Sequence, residues 1–279
     1  MIQAISLKDA EAFGQLTLAI VGAPKSGKST LASTGRKPML FLDYDLRSEA
    51  IAGKANVFAV KMIDPPLPQT PTSIPDTFDI LSSIERSKKV CDLSTAGGKL
   101  FPNADPSLEL KTLVVDSANS IAKRSLNWIL SSSKEIRHEL NVAARPGSNA
   151  FVHYTPKSWI GWVADVGLVE SILIRCIATG LDTIVILHEA PEEAADSTEE
   201  SPKFTGHITV YPVRYGRLLI NFNEVWRMKL IPGGPGGRYV PQVRVAQDWD
   251  FNASTCLQLD PVEKPDIAVM LAKQPTNVR

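Results

Sequence analysis

The residues from Gly22 to Ser29, with the sequence GAPKSGKS, combine glycine, lysine and serine at a spacing that suits phosphate binding. Glycines let the backbone curl until successive N–H groups point inward, where they can bind phosphate oxygens. In the pattern GxxxxGK[ST] the lysine can contact the β- and γ-phosphates of a nucleotide, and the next hydroxyl can ligate Mg²⁺. The residues that we expect to surround the nucleotide are Gly22, Ala23, Pro24, Lys25, Ser26, Gly27, Lys28, Ser29 and Thr30.

The segments on either side of this loop favour the same interpretation. The apolar run Leu16–Val21 leads directly into the loop, and the helix-like stretch Ser29–Thr34 leaves it. A helix that begins here adds the positive end of its dipole to the phosphate site. The alternative, a glycine turn before an ordinary helix, gives no reason for Lys28 at this point. We therefore predict that Lys28 bridges the β- and γ-phosphates and that Ser29 ligates Mg²⁺.

A carboxylate at the end of a second strand would complete such a site. Asp116 follows the apolar run Thr112–Val115 directly. There it would hold Mg²⁺ through a bound water, or polarise the hydroxyl of Ser29. The alternative is that Asp116 caps the helix that starts near Asn119. The phosphate-binding loop favours the metal-binding role.

Polar side chains also follow two other apolar runs. Asp43 and Asp45 lie at and beyond the end of Met39–Leu42, and His188 lies just beyond Thr183–Leu187. Asp45 would activate a water for attack on the γ-phosphate, and His188 would position that water or respond to the phosphate. The alternatives are that the two acids cap the turn that follows them and that His188 belongs to the core. At this stage both interpretations stay open.

The order of apolar and polar segments predicts the fold class. Continuous apolar runs without polar alternation are typical of parallel strands covered on both faces. The runs are Leu16–Val21, Met39–Leu42, Val57–Met62, Thr112–Val115 and Thr183–Leu187. Helix-like stretches alternate with them, at Ser29–Thr34, Asp76–Val90, Asn119–Leu140 and Pro156–Thr179. This alternation predicts an α/β domain with a mostly parallel central sheet flanked by helices.

Four segments depart from this alternation. We expect an extended, exposed connector at Pro65–Pro75, a polar loop at Asn141–Tyr154 and an acidic loop at Glu189–Gly206. The segments EVWRMKL and RYVPQVRVAQ, on either side of IPGGPGG, predict an antiparallel hairpin at the edge of the sheet.

Composition excludes several classes of protein. The 44% of hydrophobic residues is enough for a folded core, and 30 basic against 30 acidic residues exclude nucleic-acid coating by bulk charge. No apolar run reaches the roughly 18 residues that span a bilayer, so we expect no membrane partner. Three scattered cysteines show no metal-binding spacing, and their odd number argues against a disulfide framework. These features predict a cytoplasmic location.

Taken together, the motifs resemble the RecA-like branch of P-loop ATPases. More narrowly, the chain resembles phage-encoded RecA-like ATPases of single-strand annealing recombination, within a broad AAA-type family of phage nucleotide-binding proteins. The matching segments are GAPKSGKSTLA (Gly22–Ala32), KPMLFLDYD (Lys37–Asp45), KTLVVDSANSI (Lys111–Ile121), TIVILHEA (Thr183–Ala190) and FNEVWRM (Phe222–Met228). The resemblance implies one RecA-like domain over residues 1–279, with its core at about 14–230 and its C-terminal hairpin and tail at 224–279.

The resemblance also implies a function and roles for individual residues. It implies Mg²⁺-dependent binding and hydrolysis of ATP, with Ser29 and Asp116 at the metal. Asp45 falls where RecA-like enzymes keep a water-activating glutamate, and His188 falls where they keep a glutamine sensor. Aspartate is one methylene shorter than glutamate, and this departure leaves two alternatives: hydrolysis is slow, or Asp45 is not the base. Arg217, or in its place Arg214, would complete the site of a neighbouring subunit; the alternative is that both arginines pair with surface carboxylates.

The resemblance further implies partners. They are other copies of the chain in a ring or filament, single-stranded DNA in phage-type recombination or replication, and a single-strand DNA-binding protein, all in the host cytoplasm. Candidate DNA contacts are Asn141–Tyr154 and Lys203–Arg217, while Ala246–Phe251 lacks the basic residues that often follow the hairpin in this family. Two alternatives stay open: an ATP-gated DNA-binding or annealing protein with little hydrolysis, and a P-loop phosphotransferase acting on a small molecule.

Overall fold

The protein's structure, a computed structural model, is organised around one central β-sheet. It describes residues 14–65, 70–132, 159–194, 196, 201, 203–211, 213–233 and 239–274. The strands are β1 (Thr17–Gly22), β2 (Met39–Asp43), β3 (Val57–Lys61), β4 (Ser94–Thr95), β5 (Gly98–Lys99), β6 (Thr112–Asp116), β7 (Asp182–Glu193), β8 (Phe204–Tyr211), β9 (Glu224–Pro232), β10 (Tyr239–Arg244) and β11 (Val262–Glu263). The α-helices are α1 (Lys28–Ala32), α2 (Ser73–Arg86), α3 (Ala118–Ser132), α4 (Trp159–Ala178) and α5 (Ile267–Ala272), and 3₁₀ segments lie at Ser48–Ile51, Val90–Asp92 and Val213–Asn221.

The main sheet is mostly parallel. In the described part of the chain its strand order is β11-β10-β9-β1-β7-β6-β2-β3, and β8 pairs with β7 beside this path. Every pairing from β9 to β3 is parallel, whereas β10, β11 and β8 are joined antiparallel. Strands β4 and β5 form a separate small hairpin. The predicted α/β fold with a mostly parallel sheet and a C-terminal antiparallel hairpin is confirmed; the division into a single domain over residues 1–279 stays a prediction.

The continuous apolar runs arise because both faces of the sheet are covered. Successive residues of a strand point to opposite faces, so Val21 and Val115 pack in one core layer with Ile121 of α3, and Ile20 packs in the other layer with Leu31 of α1. Burial of each such aliphatic side chain contributes about 1.5–3 kcal/mol. All five predicted strands are present and run parallel, and β7 extends beyond the carboxyl ends of the others.

The acidic segment after His188 differs from its prediction. Strand β7 continues through Glu193, and β8 pairs with it antiparallel, so both ends of the loop expected at Glu189–Gly206 belong to a two-stranded extension of the sheet. The acidic and polar residues of this stretch do not show the apolar pattern of a strand, so the sequence did not predict it.

The proline-rich connector also differs from its prediction at its C-terminal end. Helix α2 begins at Ser73, inside the segment Pro65–Pro75, and it ends at Arg86. A proline in the first turn of a helix is tolerated, because the first N–H groups have no partner within the helix. The carboxylate of Asp64 accepts hydrogen bonds from the backbone N–H groups of Thr72 and Ser73, at 3.0 and 2.8 Å, and so fixes this start.

The two long helices that follow β6 agree with their predictions over the described residues. They are Ala118–Ser132 and Trp159–Ala178, and the predicted loop at Asn141–Tyr154 lies outside the described residues. None of the described helices combines the length and the apolar character that a membrane crossing needs.

Candidate functional site

The ends of the parallel strands bring the predicted polar residues to one edge of the sheet. Gly22 at the end of β1 pairs in register with His188 of β7, and Asp43 at the end of β2 pairs with Asp116 of β6. The ends of β1 and β6 flank β7, since this strand lies between them. Residues that are far apart in the sequence therefore meet in one place.

The loop between β1 and α1 has two glycines that cannot be replaced without strain. Gly27 has φ 94° at the start of α1, in the left-handed region that favours glycine. At Gly22 a Cβ would lie 2.6 Å from the backbone oxygen of Met228 on the neighbouring β9. The loop thus lies tightly against β9 on one side and turns sharply into α1 on the other.

Lys28 is buried beneath this loop. Its Nζ donates hydrogen bonds to the carbonyl oxygens of Gly22 at 2.8 Å and Ala23 at 2.7 Å. Burial lowers the pKa of Lys28 to about 8, although the carboxylates of Asp116 and other nearby acids oppose the shift. In this position the lysine is held by carbonyl oxygens alone, and it can exchange them for phosphate oxygens of a ligand.

Ser29 and Asp116 are in direct contact. The Ser29 Oγ donates a hydrogen bond to Asp116 Oδ2 at 2.6 Å. Burial raises the pKa of Asp116 to about 6, and this hydrogen bond and the positive charge of Lys28 only partly offset the effect. The backbone oxygen of Asp116 accepts hydrogen bonds from the N–H groups of Tyr44 and Asp45, so the turn after β2 is tied to the same residue.

Asp45 lies beside Asp116 and accepts hydrogen bonds from α3. Its Oδ1 accepts from Ser117 Oγ at 2.9 Å and from Ser120 Oγ, and its Oδ2 lies 3.4 Å from His188 Nε2. Burial would raise the pKa of Asp45, but the contacts with His188, Ser120 and Ser117 outweigh it and hold that pKa below its usual range. Asp45 is therefore ionised at neutral pH.

His188 lies at the carboxyl ends of the parallel strands, and both its backbone and its side chain hold it there. Its N–H donates to Asn119 Oδ1 at 2.8 Å, and its imidazole contacts Asp45. About a quarter of the side chain is exposed, so it is not a core histidine. Its Nδ1 is buried and has no hydrogen-bond partner among the described residues.

Asp43 has a structural role instead. Its two carboxylate oxygens accept hydrogen bonds from the backbone N–H groups of Arg47 at 3.0 Å and Ser48 at 2.8 Å. The side chain is buried and caps the 3₁₀ segment that begins at Ser48. Of the two acids that follow β2, only Asp45 faces the site.

These side chains surround a cleft of about 270 Å³. It is lined by Lys25, Gly27, Lys28, Ser29, Thr30, Asp45, Arg47, Ala50, Asp116, Ile186 and His188. Arg47 and Ala50 form a wall that the motifs did not predict, because the segment after Asp45 matches only a capped turn. The one sequence signal for Arg47 as a site residue is its position, because it is a basic residue shortly after the polar end of a strand.

A buried group of charges lies next to the loop and was also missed. Arg227 of β9 donates from Nε to Glu189 Oε2 at 2.9 Å, and its Nη1 lies 2.8 Å from Asp250 Oδ1 in an ion pair without hydrogen-bond geometry. Arg227 is almost fully buried, and its guanidinium also lies over the ring of Phe251. Glu189 acts electrostatically on Lys28, so this group is linked to the loop.

Arg217 does not line the cleft of its own chain. It lies in the 3₁₀ segment Val213–Asn221 with an exposed side chain, and its action on a neighbouring subunit stays a prediction. Arg214 lies in the same segment. Of the two candidate DNA-binding segments, Asn141–Tyr154 is outside the described residues, and Lys203–Arg217 is the strand β8 with the start of the 3₁₀ segment.

The residues present suit a magnesium ion that is shared with a nucleotide. Mg²⁺ prefers oxygen ligands and is usually held by one or two protein groups together with substrate phosphates. Ser29 Oγ and the Asp116 carboxylate supply such oxygens within 2.6 Å of each other. Among the described residues, no group of three or more His, Cys, Asp or Glu side chains could hold a metal alone. Ser26 Oγ is buried in the same loop without a hydrogen-bond partner, which leaves a donor for a ligand.

Comparison with known proteins identifies a family that the chain matches. A family model described as an AAA domain matches residues 15–207, which include the loop, Asp45, Asp116 and His188. No curated protein shows significant sequence similarity to the chain.

Solved structures to which the chain is similar include the following three. A RadB recombinase is 11% identical with a TM-score of 0.35, over 85% of this chain and 84% of its own. A KaiC-like protein from Pyrococcus horikoshii is 13% identical with a TM-score of 0.38, over 89% and 88%. The flagellar accessory protein FlaH from Methanocaldococcus jannaschii is 11% identical with a TM-score of 0.36, over 91% and 88%.

Proposed function

The chain belongs to the AAA domain family, and from this premise we propose that it is a Mg²⁺-dependent ATPase that binds ATP in the cleft beside Lys28. The observation that carries the proposal is the hydrogen bond between Ser29 and Asp116, next to the buried Lys28. A hydroxyl, a carboxylate and a lysine at one edge of a parallel sheet are the protein groups that phosphoryl transfer from a nucleotide requires.

Binding of the triphosphate changes few contacts in this proposal. The backbone N–H groups of the loop and Lys28 Nζ bind phosphate oxygens, and Lys28 gives up the carbonyl oxygens of Gly22 and Ala23. Ser29 and Asp116 would hold Mg²⁺, which when bound neutralises charge on the β- and γ-phosphates. The left-handed turn at Gly27 lets the N–H groups approach the phosphates closely.

Asp45 and His188 align the attacking water. Asp45 is ionised, so one of its oxygens can accept a hydrogen bond from the water and orient it toward the γ-phosphate. A carboxylate with a low pKa is a weak base, and its oxygens already accept hydrogen bonds from two serines. We therefore propose that Asp45 orients the water rather than removing its proton early, and that turnover is slow.

The contacts of the Asp45 carboxylate favour a second candidate function. If Asp45 stays bound to Ser117, Ser120 and His188 with ATP present, the protein binds ATP and scarcely hydrolyses it. It would then be a nucleotide-gated binding or annealing protein. Steady-state turnover with saturating ATP and Mg²⁺ separates the two functions.

We further propose, on the sequence resemblance, that the protein acts as a homo-oligomer on single-stranded DNA. The test is the ATPase rate and the mass in solution, each with and without ATP and single-stranded DNA. Turnover stimulated by the DNA supports the proposal. Phosphate transfer to a metabolite, with no response to DNA, would instead identify a small-molecule phosphotransferase.

The central test replaces Lys28. A charge-assisted hydrogen bond contributes about 1.5–3 kcal/mol, so we expect Lys28→Ala to weaken ATP binding about 10- to 100-fold. Lys99→Ala is the matched control, because Lys99 is exposed and pairs with Asp92 on the small hairpin. Since Lys28 is buried, Ser29→Ala serves as a second variant, and it should lower ATP affinity only when Mg²⁺ is present. Unchanged ATP binding in Lys28→Ala would contradict the proposed function.

A further inference from the structure

We propose that Arg47 contacts the terminal phosphate of the bound nucleotide within the same subunit and supplies the positive charge that its transfer requires. This inference rests on the ATPase function proposed above. It places a cation in this chain's own cleft, in addition to the one that the sequence led us to expect from a neighbouring subunit.

The first argument is the position of Arg47. It lines the same cleft as Lys28, Ser29 and Asp116, and its side chain is exposed to solvent. No described carboxylate lies within ion-pair distance of its guanidinium. By contrast, Arg124, Arg175 and Arg227 each pair with a carboxylate. A guanidinium without a partner on the wall of a cleft is available to an anion.

The second argument is how the backbone at Arg47 is held. Its N–H and that of Ser48 are bound by the carboxylate of Asp43. Asp43 pairs in register with Asp116, whose carbonyl oxygen binds the N–H groups of Tyr44 and Asp45. The loop that carries Arg47 is therefore fixed to the two strands that carry the proposed metal site. This anchoring positions Arg47 relative to Asp116 within one chain.

The third argument is the chemistry of the cleft. Eight of its eleven lining residues are polar or charged, and none of the described lining residues is Phe, Tyr or Trp. Pockets for a flat organic group are predominantly apolar and aromatic. This part of the cleft suits phosphates rather than a base, so a cation here faces the phosphate end of a nucleotide. Arginine fits phosphate well, because its planar guanidinium can donate two parallel hydrogen bonds.

The first test measures binding, which does not depend on turnover. ATP and ADP affinities are compared for the wild type, Arg47→Ala and Arg47→Lys. If Arg47 contacts the terminal phosphate, Arg47→Ala weakens ATP binding about tenfold and changes ADP binding by less than about threefold, and Arg47→Lys restores part of the loss. Arg86→Ala, at the exposed end of α2, is the control. Equal losses for ATP and ADP, or no loss, would overturn the proposal.

The second test asks in which subunit Arg47 acts. We expect Arg47→Ala to lower turnover by about 100-fold or more. The variant is then mixed with Lys28→Ala protein. In mixed oligomers the Arg47→Ala subunits keep an intact phosphate-binding loop, and the neighbouring Lys28→Ala subunits keep Arg47. If Arg47 acts within its own subunit, mixing restores nothing; restored turnover would overturn the proposal. Failure of the ATPase function itself would look different, because the wild type would then bind no ATP and Lys28→Ala would change nothing.

Discussion

The hydroxyl of Ser29 donates a hydrogen bond to the carboxylate of Asp116 at 2.6 Å, although 87 positions separate the two residues along the chain. The contact joins the loop after β1 to the end of β6, with β7 between them in the sheet. It exists only if three parallel strands are in register, because a shift of one residue would turn each side chain to the other face. The site therefore forms only when β1, β7 and β6 are paired in the correct register.

Asp116 makes the stability of the metal-free and nucleotide-free protein depend on pH. Its pKa is raised from 3.8 to about 6, so between these values the folded state binds more protons than the unfolded state, and stability falls as pH rises. Since one pKa unit corresponds to about 1.4 kcal/mol, we expect a loss on the order of 3 kcal/mol across this range. Urea unfolding at a series of pH values measures it.

Asp116→Asn should remove most of this pH dependence, because an amide does not ionise and its oxygen can still accept from Ser29. Glu170→Gln on α4 is the control and should keep the wild-type slope. An Asp116→Asn protein with the same slope as the wild type would show that another group is responsible.

Ser120 should affect turnover through Asp45. Ser120→Ala removes one of the hydroxyls that hold the Asp45 carboxylate, so the water should be less well oriented. We expect kcat to fall severalfold with ATP affinity unchanged, and Asp45→Asn to cost about 100-fold or more in kcat. Ser131→Ala is the matched control, because Ser131 lies on the same helix and donates to Trp128 O. A fall in affinity without a fall in kcat would contradict this positioning role.

Much of the fold and the meeting of the main site residues followed from local patterns. The five predicted strands are apolar runs, and the carboxyl ends of parallel strands meet at one edge of a sheet. The loop pattern fixes Lys28 and Ser29 by spacing alone, because the backbone curl needs glycine at defined points. Asp116 could be placed beside them, since its run is long enough and apolar enough to be a central strand.

Other parts depend on contacts that no local pattern contains. Arg227 is buried because β9 lies next to β1 and brings it to Glu189, 38 positions away in sequence. Arg47 directly precedes the 3₁₀ segment Ser48–Ile51, and the sequence there is typical of any capped turn. The pairing of β7 with β8 was missed because the acidic sequence after His188 does not show the pattern of an apolar strand. In each case the deciding interaction is between distant segments.

Gly22→Ala should destabilise the protein. The added Cβ would lie 2.6 Å from the backbone oxygen of Met228, and this oxygen cannot move without shifting β9. Overpacking of this kind costs about 1–3 kcal/mol in the free energy of unfolding. Gly97→Ala is the control, since its nearest contact would be an ordinary 3.5 Å. Denaturant unfolding compares the two, and equal stability would mean that β1 and β9 have more room than the structure shows.

Arg217 is expected to act on the site of a neighbouring subunit. Arg217→Ala should abolish turnover and leave ATP binding intact, because an exposed side chain outside its own cleft cannot contribute to binding there. Mixing with Lys28→Ala protein should restore turnover, which is the opposite of the result expected for Arg47→Ala. Loss of ATP binding, or unchanged turnover, would remove this assignment.

Arg227 should couple stability to the nucleotide site. Arg227→Met leaves Glu189 and Asp250 without their buried cation, and breaking such a group costs about 3–5 kcal/mol. Arg244→Met is the control. The side chain of Arg244, which pairs with Asp248, is one-third exposed, and exposed ion pairs contribute about 0–1 kcal/mol to the free energy of unfolding.

Arg227→Met should also weaken ATP binding. It leaves the negative charge of Glu189 unpaired, and this charge would repel the phosphates next to Lys28. Adding Glu189→Gln to Arg227→Met should recover part of both losses, since it removes that charge. Isothermal titration and urea unfolding of the single and double variants measure the two effects. If the double variant recovers stability without affinity, Glu189 is part of the packing around the loop but does not act on the nucleotide.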